Sequence, residues 1–232
     1  LAAIMALTKS PEGRKIIQDS IKVHYGPDGK PDGFMVTVYD DPLHPDAKAS
    51  RTVFVDDVYG NGVTGPDGKP NYASILESAY GQQHPGGALG SGKDNGISGG
   101  SPNEAAQDLT NNPATDVSGQ AGYSSNERKE IVDAANSSNP VTAETETAPP
   151  ENFPNDGKAE VGVTLPSGEK TNMELYHGHA YMVVDADQNG VTLANPHGYN
   201  YDQTGRKVDE TFTMSWEDYE KYYGSTTIGS VK

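Results

Sequence analysis

The chain opens on Leu1-Ala2-Ala3-Ile4-Met5-Ala6-Leu7, a run that is apolar on every face and rich in good helix formers, which predicts a buried helix. No Ser, Thr, Asp or Asn precedes the run, so this helix starts uncapped and its natural beginning is expected upstream of Leu1. Pro11-Glu12-Gly13 predicts a turn, and residues 14–21 a second short helix. The pattern then changes to that of strands. Gly33-Phe34-Met35-Val36-Thr37-Val38-Tyr39 and Arg51-Thr52-Val53-Phe54-Val55-Asp56-Asp57 are rich in β-branched and aromatic residues and bounded by turns, and they read as a pair. The hexapeptide Gly-Pro-Asp-Gly-Lys-Pro stands at 26–31 and again at 65–70; its flanks do not repeat, so it predicts two turns and no repeating unit. Tyr72, Ile75, Leu76 and Ala79 fall at helical spacing and predict a third helix over 71–80.

Residues 84–100 and 111–126 are dense in small polar residues, Gly and Pro, and read as loops. Between them Ser101-Pro102-Asn103-Glu104 has the form of a capping box opening a helix to Leu109, and residues 125–135 predict another helix. After a loop at 148–157 the character becomes β, with strands predicted at 159–165, 178–185, 190–195, 210–214 and 226–231. Helices first and strands later argue for an α+β fold, with a helical lobe, a sheet or barrel lobe, and a cleft at their junction.

Charge and composition exclude more than they identify. The chain of 232 residues carries 17 Lys and Arg against 33 Asp and Glu, a formal charge of -16 that repels nucleic acid and anionic membrane. There is no cysteine, so disulfides, thiolate metal sites and thiol catalysis by this chain alone are excluded. No apolar run approaches the ~20 residues of a membrane span, and no basic region followed by a cleavable apolar segment is present. The chain begins at Leu1 and not at Met, which leaves its localisation open.

Candidate chemistry gathers in His177-Gly178-His179-Ala180-Tyr181-Met182-Val183-Val184 and Leu193-Ala194-Asn195-Pro196-His197-Gly198. A histidine starting an apolar strand and an asparagine ending its hairpin partner lie side by side. In thiol proteases a histidine takes the proton of the cysteine while an asparagine carbonyl oxygen fixes the imidazole's tautomer and plane. Against this stands a purely structural histidine beside glycine, which the two segments by themselves leave open. Asp185-Ala186-Asp187-Gln188-Asn189-Gly190 has the opening of an EF-hand calcium loop, but position twelve is Pro196, so a hairpin turn on Asn189-Gly190 is expected. His177, His179 and His197 are weighed as a zinc site without thiolate support, Asp56 and Asp57 as solvated strand-end charges, and Trp216 as a packed residue of a short helix capped by Ser215.

The order of the pieces carries a resemblance. Gly-His-Ala-Tyr at 178–181, a hairpin turn, Asn-Pro-x-Gly at 195–198 and Met-Ser-Trp-Glu-Asp-Tyr at 214–219 resemble the end of the calpain protease core. Leu1-Ala2-Ala3 with Leu7-Thr8 and Pro11-Glu12-Gly13 is similar to that family's active-site helix, Val55-Asp56-Asp57 to its acidic strand end, and residues 72–80 to its Trp-x-x-Leu-Leu-Glu-Lys-Ala-Tyr helix. Gly99-Gly100, Glu104-Ala105 and Asp108-Leu109-Thr110 are similar to a further run. The resemblance implies a papain-like α+β fold, with a helical lobe over 1–122, a β-rich, barrel-like lobe over 123–232, and a peptide-binding cleft between them. It implies a cysteine endopeptidase with His179 as general base and Asn195 as its orienting partner. The nucleophile would stand three residues before Leu1 and the oxyanion glutamine also upstream, so the chain as it stands is expected to be inert. Where calpains carry a tryptophan between proline and glycine, this chain has His197. The chemistry needs no cofactor; the family adds calcium, whose ligands cannot be placed on the sequence. Expected partners are a protein or peptide substrate and the chain's own N-terminal segment. The alternative is a catalytically inactive calpain-like module that binds proteins through the same cleft.

Overall fold

The computed structural model describes residues 1–39, 50–56, 58, 64–83 and 100–232; the expectations at Asp57 and over 84–99, Gly99 included, lie outside them. Helix α1 (Ala2–Leu7) buries Ala2, Ala3, Ile4, Ala6 and Leu7, as its all-round apolar pattern requires. Helix α2 (Pro11–Ser20) begins at the segment expected to be a turn. Pro11 needs no donor in the first helical position, and Ser10 caps it by accepting from Gly13 N at 3.0 Å, so Pro11-Glu12-Gly13 is its first turn. Gly13 is required there, because a Cβ would fall 2.0 Å from the Leu7 carbonyl oxygen.

Strands β1 (Ile21–Tyr25), β2 (Pro31–Tyr39) and β3 (Ser50–Val55) form an antiparallel sheet in that order. β2 and β3 pair as expected, with Val36 opposite Val53. β1 was not predicted; it is an edge strand without one clearly buried face. The repeated hexapeptide builds the same turn twice. Gly26 N donates to Lys30 O and Gly65 N to Lys69 O, each at 2.9 Å, with Gly29 and Gly68 at φ +77° and +74°. Helix α3 (Tyr72–Gln83) and helix α4 (Pro102–Thr110) follow. Ser101 accepts from Glu104 N, but the Glu104 carboxylate receives the Tyr80 hydroxyl at 2.9 Å, so only half of the expected capping box forms and the other half ties α4 to α3. Ile4, Leu7, Ile17, Val36, Val38, Val53, Val55, Ile75, Leu76 and Leu109 meet in one aliphatic core.

The remaining elements are β4 (Thr115–Ser118), α5 (Ser125–Ala135), β5 (Val141–Glu144), a 3-10 turn at Pro150–Asn152, β6 (Lys158–Thr164), β7 (Lys170–Tyr176), β8 (Ala180–Ala186), β9 (Gly190–Ala194), β10 (Asn200–Tyr201), β11 (Lys207–Val208), β12 (Thr211–Ser215), α6 (Trp216–Tyr222) and β13 (Ser225–Ile228). Eight of the strands form one antiparallel sheet in the order β4-β13-β5-β8-β9-β12-β6-β7. Its end strands β4 and β7 do not pair, so the barrel-like lobe expected from the sequence is an open sheet in a mixed α+β chain. The segment 111–126 is not wholly loop, for it carries β4 and the buried Val117 and Tyr123. Helix α5 begins as predicted and has a full capping box of Ser124 and Glu127. Tyr123, Phe153, Tyr181, Phe212, Trp216, Tyr219, Tyr222 and Tyr223 pack with Ile131, Leu175, Leu193 and other aliphatic residues in the second core.

The two cores are joined across α1, which packs on β8 and β5. Lys9 Nζ donates to the Ala135 carbonyl at the C-terminal end of α5, where a cation is favoured. Beyond β13 the chain returns to the first core: Asn112 Nδ2 donates to Ser230 O at 3.3 Å and Val231 packs among the aliphatic residues. Among the described residues no helix is long and apolar enough to cross a membrane.

Candidate active site

His179 stands one residue before β8, after Gly178 in the left-handed region at φ +73°. The fully buried Thr145, just beyond β5, clamps its main chain: Thr145 N donates to His179 O at 3.0 Å and His179 N donates to Thr145 Oγ1 at 2.9 Å. Asn195 follows β9 directly, and β8 pairs with β9 through Met182 and Ala194. The hairpin thus delivers the pair that the sequence proposed: His179 Nε2 lies 3.1 Å from Asn195 Oδ1.

Asn195 is buried and held at each polar atom. Its N–H donates to Glu210 O at 2.9 Å, its Oδ1 also accepts from His197 N at 3.1 Å, and its Nδ2 donates to Asn200 Oδ1 at 3.1 Å. An amide oxygen can only accept, so the proton in the histidine contact belongs to Nε2. Nδ1 is then the basic atom of the neutral ring, the one able to take up a proton.

The His179 ring is gripped by two others. Tyr181 meets it edge-on at 4.7 Å, and His197 stacks on it at 5.1 Å with planes 11° apart. His197 therefore covers the imidazole with a polar ring. Burial holds the His179 pKa below its ordinary value; the Asn195 hydrogen bond opposes this, while His197 adds to it. The His197 pKa is lowered by burial, with Glu77 opposing. The start of α1 lies beside α3, with Leu1 N 3.5 Å from the Glu77 carboxylate.

The other sequence candidates fall elsewhere. His177 turns away, with Nε2 at 3.3 Å from Ala148 O and its ring edge-on to Phe153 at 5.0 Å, so the three histidines do not converge. Among the described residues no group of His, Cys, Asp and Glu side chains is arranged to hold a metal. Residues 185–190 form the β8–β9 hairpin: Asp187 Oδ1 accepts from Asn189 N at 2.7 Å and Gly190 N at 3.1 Å. Gly190 is needed because a Cβ would lie 2.1 Å from Met214 O. Trp216 is buried and its Nε1 donates to Asp187 O at 2.7 Å, while Ser215 caps α6 by accepting from Asp218 N. Asp56 is exposed just past β3.

Sequence reasoning missed Thr145, Asn200 and Glu144. Glu144 ends β5 opposite Ala180; burial, with Asp116 and Glu146 nearby, pushes its carboxyl up to about 7 against the opposing hydrogen bond from Thr227. None of the three had a motif around it. An open groove of about 690 Å³ lies away from His179 and Asn195, bordered by Thr164, Thr171, Asn172, Gln203 and Ser215. Compared with known proteins, the chain matches no family model and no curated sequence.

Proposed function

We propose that the chain is the greater part of a papain-like, calpain-type cysteine endopeptidase core, whose nucleophile is a cysteine three residues before Leu1. The observation that carries this reading is the 3.1 Å contact from His179 Nε2 to the acceptor Asn195 Oδ1, which leaves Nδ1 as the base. The packing of α1 against β8, the strand that His179 precedes, supports it, because the nucleophile would lie on the turn before α1. A helix N-terminus and a neighbouring imidazolium both favour thiolate.

In this mechanism the thiol proton passes to His179 Nδ1 and the sulfur attacks the peptide carbonyl carbon. The leaving amine takes the proton from Nδ1, and an acyl-enzyme remains. Water then gives a proton to His179 as its oxygen attacks the thioester, and the proton returns to sulfur as the acid departs. Asn195 keeps the imidazole in plane throughout. The substrate is a protein or peptide.

The test is hydrolysis of an unfolded protein such as casein by the chain with its preceding residues restored. Activity should fall by about 10³-fold or more in His179→Ala. An intact chain that cleaves nothing, with or without calcium, would contradict the endopeptidase reading and favour an inactive relative that binds protein partners.

A further inference from the structure

We infer that Asn200 is a positioning residue: it holds the Asn195 amide with Oδ1 toward His179, and through it keeps the imidazole proton on Nε2. Its catalytic meaning rests on the proposed protease mechanism, whereas the hydrogen-bond geometry stands by itself.

An asparagine amide exchanges its oxygen and nitrogen by a half-turn with little change in shape, so its neighbours decide which atom faces a histidine. At Asn200 the decision is made by main chain. The carbonyls of Asp209 and Glu210 lie 2.8 and 3.0 Å from Nδ2, and both can only accept. The amide nitrogen must face them, which turns Asn200 Oδ1 toward Asn195 at 3.1 Å. That oxygen needs a donor, so Asn195 presents Nδ2 to it and Oδ1 to His179. The polarity set by two carbonyls just before β12 thus runs through two amides to the imidazole. Asn200 is 4% exposed and Asn195 9%, so water offers little competition. Glu210 O also accepts from Asn195 N at 2.9 Å, anchoring both asparagines to one segment. The His197 N–H sets the same polarity from the other side, so loss of Asn200 is expected to weaken the preference without reversing it.

The experiment is a long-range proton–nitrogen correlation spectrum of the imidazoles in the ¹⁵N-labelled chain at pH 7.5. His179 should carry its proton on Nε2, and in Asn200→Ala the ratio of that tautomer to the other should fall by about fivefold to tenfold, as for one lost buried hydrogen bond. A folded Asn200→Ala with an unchanged ratio overturns the inference. If that variant does not fold, Asn200→Asp reads the same ratio, since it keeps the shape but presents oxygen to the two carbonyls. The wild type decides if neither folds: Asn195 side-chain amide protons exchanging as freely as a solvated amide, or His179 protonated on Nδ1, would overturn it, and protected protons with Nε2–H would uphold it. In the chain with its preceding residues restored, Asn200→Ala should lower kcat by about fivefold to tenfold with KM little changed. Absence of peptidase activity would sink the protease mechanism and leave the tautomer ratio to judge Asn200.

Discussion

The two cores differ in what they are made of. Around α1, α3 and the three-stranded sheet the clustered buried side chains are Ile, Leu, Val and Ala, whereas the eight-stranded sheet adds Tyr, Phe and Trp rings to a core that is otherwise also Val, Leu, Ile, Met and Ala. His179, Asn195 and Asn200 all belong to the side that carries the aromatic rings, where the Tyr181 ring centre lies 4.7 Å from that of His179 and the Phe212 ring backs Tyr181 at 5.8 Å. The aliphatic side contributes a helix end. Its Ala2, Ala3 and Ala6 are small, which lets the α1 main chain come close to β5 and β8. The division of labour is physical. Rigid rings with few rotamers and directional hydrogen bonds fix the orientation of an imidazole, while small apolar residues fix the distance between a helix and a sheet.

That contrast is broken most strongly by removing one large side chain from each core. Phe212→Ala should cost about 3–5 kcal/mol in urea unfolding and shift the His179 ring resonances, because it removes a wall of Tyr181. Leu76→Ala should cost about 2–5 kcal/mol while leaving those resonances in place. If Leu76→Ala moves the imidazole signals and Phe212→Ala does not, the assignment of roles to the two cores is wrong.

A smaller effect sharpens the electrostatics beside the site. Glu144 has its carboxyl raised from 4.5 to about 7. Between these values the folded chain holds a proton that the unfolded chain has released, so stability falls as pH rises through the window, with the cost fully present above 7. Glu144→Gln should therefore raise Tm at pH 8 by roughly 2–4 °C, about 1 kcal/mol after solvent screening, and have no effect near pH 4.5. His179 has the opposite sign. Its pKa lies below 6.5, so it costs stability as pH falls beneath that value, and the wild-type profile should be flatter than that of Glu144→Gln. Thermal melts across pH 4.5–8 check both; a Gln variant with the same gain at every pH would refute the account of Glu144.

How much of this could be read in the residues alone depended on sequence distance. His179 and Asn195 were legible because one hairpin brings them together, and hairpins follow from local turn chemistry at Asp187 and Gly190. Asn200 was not, since its role depends on carbonyls at 209 and 210 brought back by the β10–β11 excursion. Strand β4 escaped notice because only Val117 points inward, too few positions to show a period. The Ser101 capping box was half right: a tertiary partner, Tyr80, takes the Glu104 carboxylate that the local motif assigns to the main chain. The three-stranded sheet was half legible as well, with β1 hidden by its edge position. The barrel-like lobe failed for a global reason, because closure depends on whether the first and last strands meet, and strand patterns do not record that.

The most direct test is the rate at which iodoacetamide modifies the residue three before Leu1, followed by mass spectrometry across pH 4–9 in the chain with its preceding residues restored. A cysteine paired with His179 should react rapidly already near pH 5–6, and His179→Ala should return the profile to that of an ordinary thiol near 8.5. A profile that follows an ordinary thiol in the unaltered protein, or the absence of a thiol there, would contradict the account.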